Sequence, residues 1–364
     1  MKTSLYGFIF LFGLSLSAQA EIALKGDFRF RTENIKEEQV SPLSESDRTR
    51  QRMRLRLTAT GKVNETTEAI AKISTGSTTP TDNTTNNQDL TDYYGKKSVV
   101  LDQAYFNWKA ADTVTIMGGK TPIPFTLVGQ NDLIFDTDLS PEGLSLKYLQ
   151  PLENGVELFV NTSATWLNER FSASGATDNT DVGLVGAQIG ANYKAESWNA
   201  ALVVGSFNFS NIKGSTALAA KGNSLAAGAY THDYKLTTIG LELGTKVSDM
   251  PLTAYVDKAT NSDGGDYKTA GIVGLKLGKL KDKASWAVSV DTREVEKDST
   301  VGVLSEGDVS GGGTDMRGTR VAAAYQVADN ANITLTYITG KRAISSTVFS
   351  PNYNRAWFDF NFQF

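Results

Sequence analysis

Five arginines occupy alternate positions between residues 48 and 56 of this 364-residue chain, in the stretch RTRQRMRLRL. They are Arg48, Arg50, Arg52, Arg54 and Arg56, and we refer to them as the arginine ladder. In a chain whose net charge is −4, a stretch this basic first suggests binding to a polyanion such as nucleic acid. Whether that chemistry applies depends on the elements that position the arginines.

A spacing of two residues places all five side chains on one face of a β-strand. On a helix the same spacing would scatter them over two opposed arcs. Met53, Leu55 and Leu57 alternate with the arginines and occupy the opposite face. The ladder therefore predicts a strand with one charged and one apolar face.

The first 20 residues have the pattern of a secretory signal peptide. Lys2 precedes an apolar run from Leu5 to Leu16, and Ala18-Gln19-Ala20 provides a small-x-small cleavage site. We predict a signal peptide over 1–20 and a single mature domain over 21–364. An exported protein does not meet the chromosome, so we expect no nucleic-acid partner.

Composition and periodicity of the mature chain favour an all-β membrane protein. The chain has no cysteine, which excludes disulfides and cysteine metal sites, and it is rich in Gly (33), Tyr (13) and Phe (17). Segments of about ten residues with period-two polarity recur to the C-terminus, and short turns alternate with long polar loops. These features predict a transmembrane antiparallel β-barrel of about 16 strands, with short periplasmic turns and long extracellular loops.

The C-terminal stretch NRAWFDFNFQF alternates Phe358, Phe360, Phe362 and Phe364 with polar or larger partners. Outer-membrane barrels typically close with such a strand, and the terminal Phe364 resembles the signal that barrel assembly machinery reads. The alternative is an edge strand of a soluble sandwich, which the signal peptide and the loop asymmetry disfavour. The pattern predicts location in the outer membrane and an assembly role for Phe364.

The arginine ladder is expected to face the barrel lumen. Each arginine on the lipid side near the midplane would cost roughly 2–4 kcal/mol. Successive arginines lie about 6.6 Å apart, so even in bulk water each pair repels by roughly 0.6 kcal/mol. The row therefore requires water, counter-anions or facing carboxylates. Arg29 and Arg31 on the preceding strand enlarge the patch, and an alternative role for all seven is bracing the wall through ion pairs.

Several stretches are similar to one known family. GDFRFRTE, RTRQRMRLRLTATGKV, GKTPIPF and NDLIFDTDLSPEGLSLKY resemble the putative porin family of Gram-negative outer membranes, most specifically over residues 25–150. The resemblance implies a barrel whose third long loop folds inward and narrows the pore. Related porins of this size are usually trimers, so it also implies a homotrimer.

The residues of that loop suit an inward position. Its prolines stiffen the segment, and apolar residues such as Leu133 and Phe135 can pack against an inner wall. Opposite the ladder, a loop carboxylate would produce a transverse field across a water-filled constriction. The predicted constriction residues from this part of the chain are Lys120, Asp132, Asp136, Asp138 and Glu142. The acidic cluster could instead hold calcium.

These observations predict a porin that passes small hydrophilic solutes and ions by diffusion, with no enzymatic activity, no cofactor and no metal. The chain has one histidine, His232, and Asp233 beside it would point to the opposite face of a strand, so the two do not form a natural dyad. Two alternatives stay open: a channel selective for an anion such as phosphate, and a non-conducting structural or adhesive barrel. Expected partners are outer-membrane lipid, lipopolysaccharide, the barrel assembly machinery and the diffusing solutes.

Overall fold

Alternating polarity produces strands throughout the computed structural model, which describes residues 22–38, 45–91, 93–170 and 180–364. The predicted signal peptide over 1–20 lies outside these residues. Nineteen strands are present in the described part of the chain. They are β1 (Ile22–Glu38), β2 (Glu45–Lys62), β3 (Thr67–Thr75), β4 (Gln88–Asp89), β5 (Val99–Ala111), β6 (Val114–Lys120), β7 (Glu142–Pro151), β8 (Val156–Asn168), β9 (Val182–Lys194), β10 (Trp198–Ser210), β11 (Leu225–Ala226), β12 (Ala229–Tyr230), β13 (Tyr234–Val247), β14 (Met250–Asn261), β15 (Thr269–Gly278), β16 (Trp286–Val295), β17 (Met316–Ala328), β18 (Ala331–Arg342) and β19 (Asn352–Gln363).

Sixteen of these described strands form one closed antiparallel barrel. Each long strand pairs with the long strands before and after it, and β19 pairs with β1 from Asp27–Gln363 to Glu37–Tyr353 to close the ring. Strands β4, β11 and β12 have two residues each and belong to loops. The predicted 16-stranded barrel is confirmed.

The two ends of the barrel differ in their connections. Gly26 and Phe364 exchange backbone hydrogen bonds of 2.7 and 3.0 Å at the end that carries the short turns. Three longer connections at the opposite end reach into the lumen or its wall: L2 (76–98), L3 (121–141) and L7 (296–315). By the rule that short turns are periplasmic, the long loops face the outside.

The two faces of the wall differ in polarity as the sequence predicts. Large apolar side chains remain exposed on the outside, for example Val185 (63 % exposed) and Ile189 (60 %). The inner face carries the charged residues, because alternate residues of a strand point to opposite sides. Among the described residues, no helix has the length and apolar character needed to cross a membrane.

Two loops fold into the barrel. L3 inserts Leu133, Ile134 and Phe135 into the buried cluster, and L7, which was not predicted to fold inward, contributes Leu304 and Val309. The loops contact each other directly: Asp136 N donates to the carbonyl of Leu304 at 2.8 Å. Apolar residues in a polar loop thus become buried by packing against an inner wall.

The inner wall accommodates L7 because it lacks a side chain at one contact. A Cβ added to Gly318 on β17 would lie 2.7 Å from Cγ1 of Val309, closer than carbon atoms can approach. A larger residue at this position would push L7 away from the wall.

Candidate functional site

All five ladder arginines lie on the inner face of β2. The neighbouring strand β1 continues the same inner face. The strand register places Arg54 opposite Arg29 and Arg52 opposite Arg31. Arg31 and Arg52 are buried, with 3 % and 8 % exposure. The two strands therefore present one continuous wall of guanidinium groups, which we call the arginine wall.

Two carboxylates, Asp27 and Asp89, between them contact all five ladder arginines. Asp27 accepts from Arg54 at 2.8 Å and from Arg56 at 2.7 Å. Asp89, carried inward by L2, contacts three ladder residues: Arg48 at 2.8 Å, Arg50 at 3.1 Å and Arg52 at 2.7 Å. Burial tends to raise the pKa of Asp89, but the charges of Arg52, Arg50 and Arg48 outweigh it and hold that pKa below its usual value.

Adjacent strands complete the network. Glu33 is buried between Arg50, to which it is hydrogen-bonded, and Arg355 of β19, whose Nη2 lies 2.6 Å away. Asp359, also on β19, accepts from Nε and Nη2 of Arg31 at 2.7 and 2.9 Å. Such two-pronged pairs fix the guanidinium planes, so the arginine wall is a rigid surface.

Arg29 is the exception. Within the described residues, no carboxylate oxygen lies within 4.0 Å of its guanidinium, and its Nη2 donates instead to Oδ1 of Asn87 at 2.7 Å. Its Nε is buried without a hydrogen-bond partner. Arg29, near the middle of β1, thus has no direct carboxylate partner among the residues that the structure describes.

The described groups of the network carry an excess of positive charge. Eight arginines meet six carboxylates, which leaves a difference of two. The arginines are Arg29, Arg31, Arg48, Arg50, Arg52, Arg54, Arg56 and Arg355, and the carboxylates are Asp27, Glu33, Asp89, Asp138, Asp308 and Asp359.

L3 crosses the lumen along the inner wall, held by hydrogen bonds to successive strands. These bonds join Asn161 of β8 to Thr126 (3.2 Å), Gln188 of β9 to Thr126 (2.8 Å), Glu242 of β13 to Gly129 (2.6 Å), Asp257 of β14 to Asn131 (2.8 Å) and Lys276 of β15 to Gly129 (2.6 Å). Gly129 has φ +60°, and the ring of Tyr255 occupies the space that a Cβ would need. Glycine is therefore required where L3 turns against β14.

Asp132 anchors L3 to the wall formed by β16 and β17. Its carboxylate lies 2.5 Å from Nη1 of Arg293 and 3.2 Å from Nη1 of Arg320, and Asp291 contacts both arginines. Burial opposes ionisation, but the two guanidiniums lower the pKa of Asp132 to about 2. The expectation that Asp132 faces the arginine ladder does not match this placement, because L3 carries it past the ladder to a second pair of arginines.

Two acidic residues later in L3 have different surroundings. Asp138 reaches the ladder, with Oδ1 at 3.5 Å from Nη1 of Arg56. Asp136 instead accepts from the backbone N–H of Gly307 in L7 at 3.1 Å and from that of Asp138 at 2.8 Å. Burial, followed by the charges of Asp138 and Glu306, raises the pKa of Asp136 to about 9, so this group joins L3 to L7 as a neutral acid at pH 7.

Lys120 and Glu142 lie away from the ladder. They form an ion pair of 2.7 Å across β6 and β7. Glu142 is two residues from the exposed Leu144 and shares its face, so the pair occupies the outer side of the wall at the loop end. We expected these two residues to line the constriction, but the structure places them on the outer side of the wall.

Several residues of the network were not among the predicted site residues, although their sequence positions carry a signal. Asp27 and Glu33 alternate with Arg29 and Arg31 and thus share their face. Arg355 and Asp359 stand in the same way on the inner face of the last strand. Applying the period of two to acidic residues as well as to arginines would have identified these four.

The remaining predicted residues have structural contacts. Phe364 hydrogen-bonds through its backbone to Gly26 and its side chain is exposed at the lipid side, so its assembly role stays a prediction. His232 Nδ1 lies 2.8 Å from the carbonyl oxygen of Asp263.

Within the described ranges, no group of three or more acidic, histidine or cysteine residues is arranged to hold a metal ion, which leaves the calcium alternative without support.

Comparison with known proteins agrees with this geometry. The family model described as "Putative porin" matches residues 19–238 and 246–364. No curated protein sequence matches the chain.

Solved barrels share the fold at low sequence identity. OprB of Pseudomonas putida aligns with a TM-score of 0.62 and 12 % identity, covering 94 % of each chain. The outer membrane channel DcaP of Acinetobacter baumannii gives 0.53 and 16 % identity, covering 96 % of this chain and 98 % of that one. A trimer form of OmpT of Vibrio cholerae gives 0.51 and 11 %, covering 95 % and 99 %. Together with the family match over almost the whole sequence, the closed barrel shows that this chain belongs to the putative porin family and is an outer-membrane channel.

Proposed function

We propose that the channel is a porin through which small hydrophilic solutes and ions diffuse passively, with a preference for anions. The observation that carries this proposal is the excess of two positive charges in the arginine wall, centred on the carboxylate-free Arg29. An uncompensated charge on a pore wall concentrates ions of the opposite sign.

Facing arginines support a water-filled lumen. Arg29 stands opposite Arg54, and Arg31 opposite Arg52. Directly opposed residues of antiparallel strands have Cβ atoms about 4.5–5.5 Å apart, and like charges at such distances repel strongly when no water screens them. A cavity of about 650 Å³, large enough for several waters, opens at the short-turn end beside Lys25, Asp27, Arg56 and Lys72.

In this proposal the arginine wall and L3 lie side by side along the border of the constriction. Asp138 of L3 contacts Arg56 at 3.5 Å, so the solute path runs past this pair and not between its two members. Charges of both signs on the border of a water-filled path produce a local field that orients and selects polar molecules. L7 narrows the same lumen, since its Asp308 contacts Arg355 at 2.6 Å.

Processing and assembly belong to the same proposal. Cleavage after Ala20 would release a mature barrel of residues 21–364, in keeping with the N-terminal pattern. A homotrimer is supported by the trimer form recorded for the similar barrel of Vibrio cholerae. The barrel assembly machinery would recognise the strand that ends in Phe364.

Single-channel recording in a planar bilayer tests the proposed function. Purified, folded protein is expected to produce discrete conductance steps, and protein denatured by heat in the same detergent serves as the control. Folded protein that inserts without ever producing steps would refute the porin proposal and favour a structural or adhesive barrel.

A further inference from the structure

The outer wall carries a row of charged residues near the loop end. The strand registers place one outward residue of each of six neighbouring strands directly beside the next. In order around the barrel the row consists of Asn352, Lys341, Arg317, Glu294, Gly271 and Lys258. The row has three cations and one carboxylate, and a second carboxylate, Glu38 of β1, is hydrogen-bonded to Asn352 at its end, which leaves an excess of one positive charge.

These residues line a groove in the outer surface with a volume of about 740 Å³. Gly271 leaves the space between Glu294 and Lys258 without a side chain, and strands about 4.8 Å apart make that space wide enough for a polar group. The Arg317–Glu294 contact is long, at 4.0 Å, and both side chains are more than half exposed. Such an exposed pair contributes little, so the guanidinium is available to another anion.

A second groove of about 410 Å³ begins directly below the first, toward the barrel midplane. Val256, Val273 and Thr292 line both grooves, so the two are continuous. The lower groove is apolar, and Ala254 keeps it open because its side chain is a single methyl group. Its outward-facing lining consists of Leu241, Leu243, Ala254, Val256, Val273, Leu275, Val290 and Thr292.

The order of the two grooves matches an amphiphile in one leaflet. The charged row lies at the loop end of the wall, at the height of the outer-leaflet headgroups, and the apolar groove extends into the membrane. A second barrel would place an apolar wall against this row and would strip water from Lys258, Arg317 and Lys341 without supplying anions, which is costly. We propose that the double groove binds a phosphorylated glycolipid of the outer leaflet, with its phosphates on the three cations and one acyl chain in the apolar groove.

Binding of bisphosphorylated lipid A to the full chain in detergent micelles tests this proposal, with native mass spectrometry as the readout. Each Lys or Arg near an anionic lipid headgroup contributes about 1 kcal/mol. The triple variant Lys258→Gln, Arg317→Gln, Lys341→Gln is therefore expected to bind roughly 100-fold more weakly. A matched control removes three exposed lysines outside the groove, Lys36, Lys96 and Lys213, by the same change to Gln and should bind like the parent.

Two further arms separate the contributions of headgroup and chain. Dephosphorylated lipid A should bind the parent protein as weakly as bisphosphorylated lipid A binds the triple variant. Ala254→Phe, which fills the apolar groove and leaves the charges in place, should also weaken binding. Heat-dependent gel migration shows that each variant is folded.

The proposal is overturned if the folded triple variant retains parental affinity, or if removing the phosphates has no effect. It is also overturned if the triple variant binds lipid A normally but changes its oligomeric state, because the face would then be an interface between copies. None of these outcomes depends on whether the lumen conducts, so this proposal and the proposed function can fail separately.

Discussion

Replacing Arg29 with glutamine removes one of the two excess charges from the lumen while keeping a side chain that can hydrogen-bond to Asn87. Because Arg29 has no carboxylate within 4.0 Å in the described part of the chain, its loss leaves no acid unpaired. The variant should therefore fold normally and change ion preference alone.

The size of the effect follows from Coulomb's law. A passing ion about 7 Å from the guanidinium gains or loses roughly 0.6 kcal/mol in water, and screening at 0.1 M salt halves this to about 0.3 kcal/mol. Anions are enriched and cations depleted by the same factor, so one charge changes their ratio about threefold. Two excess charges predict an anion-to-cation permeability ratio of roughly 8 for the parent channel, and Arg29→Gln should reduce it to roughly 3.

The zero-current potential of single channels in a potassium chloride gradient measures this ratio. Lys36→Gln is the matched control, since Lys36 lies on the same strand but on its outer face, paired with Asp47 at 3.7 Å. The control should retain the parental ratio. If Arg29→Gln conducts with the parental ratio as well, the excess charge does not act on the permeating ions and the arginine wall only braces the barrel.

Three other perturbations act on the loops inside the barrel. Asp138→Asn removes the loop carboxylate near the ladder and should raise the anion preference about threefold in the same recordings; a fall would contradict the assigned excess of positive charge. Asp132→Ala leaves Arg293 short of a partner, which should cost about 3–5 kcal/mol, loosen L3 and increase single-channel conductance; unchanged conductance and thermal stability would show that L3 is held elsewhere. Because the pKa of Asp136 is raised from 3.8 to about 9, its stabilising contribution to the L3–L7 contact is complete below about pH 4 and is lost as the pH rises through 9. Hydrogen exchange of L7 should therefore accelerate from pH 7 to 10 beyond the intrinsic amide rate, and Asp136→Asn should remove the excess acceleration; an identical profile in both proteins would exclude Asp136 as its origin.

The strands and the faces of the barrel were predictable because they depend on local alternation. The ladder illustrates this, since the same period that separates Arg54 from Leu55 decides which of them faces inward. The outer position of Glu142 could have been predicted in the same way, because Glu142 is two residues from the apolar Leu144.

The paths of the loops were harder to predict from the sequence. Asp132 meets Arg293 and Arg320 only because L3 crosses the lumen, and neither arginine belongs to a run of alternate arginines like the ladder. The sequence of L7 is that of a polar, glycine-rich loop. Leu304 and Val309 become buried because L3 provides an apolar surface inside the barrel. Contacts between two loops depend on tertiary placement, which no local period encodes.

The central claim, that the arginine wall lines a water-filled path, is tested most directly by chemical access to single positions. The natural chain has no cysteine, so Arg54→Cys and Leu55→Cys each introduce one thiol, on the inner and outer face of the same strand. A charged, water-soluble thiol reagent added during single-channel recording should change the current through Arg54→Cys and leave Leu55→Cys unaffected. No change at Arg54→Cys, or an equal change in both variants, would contradict the account.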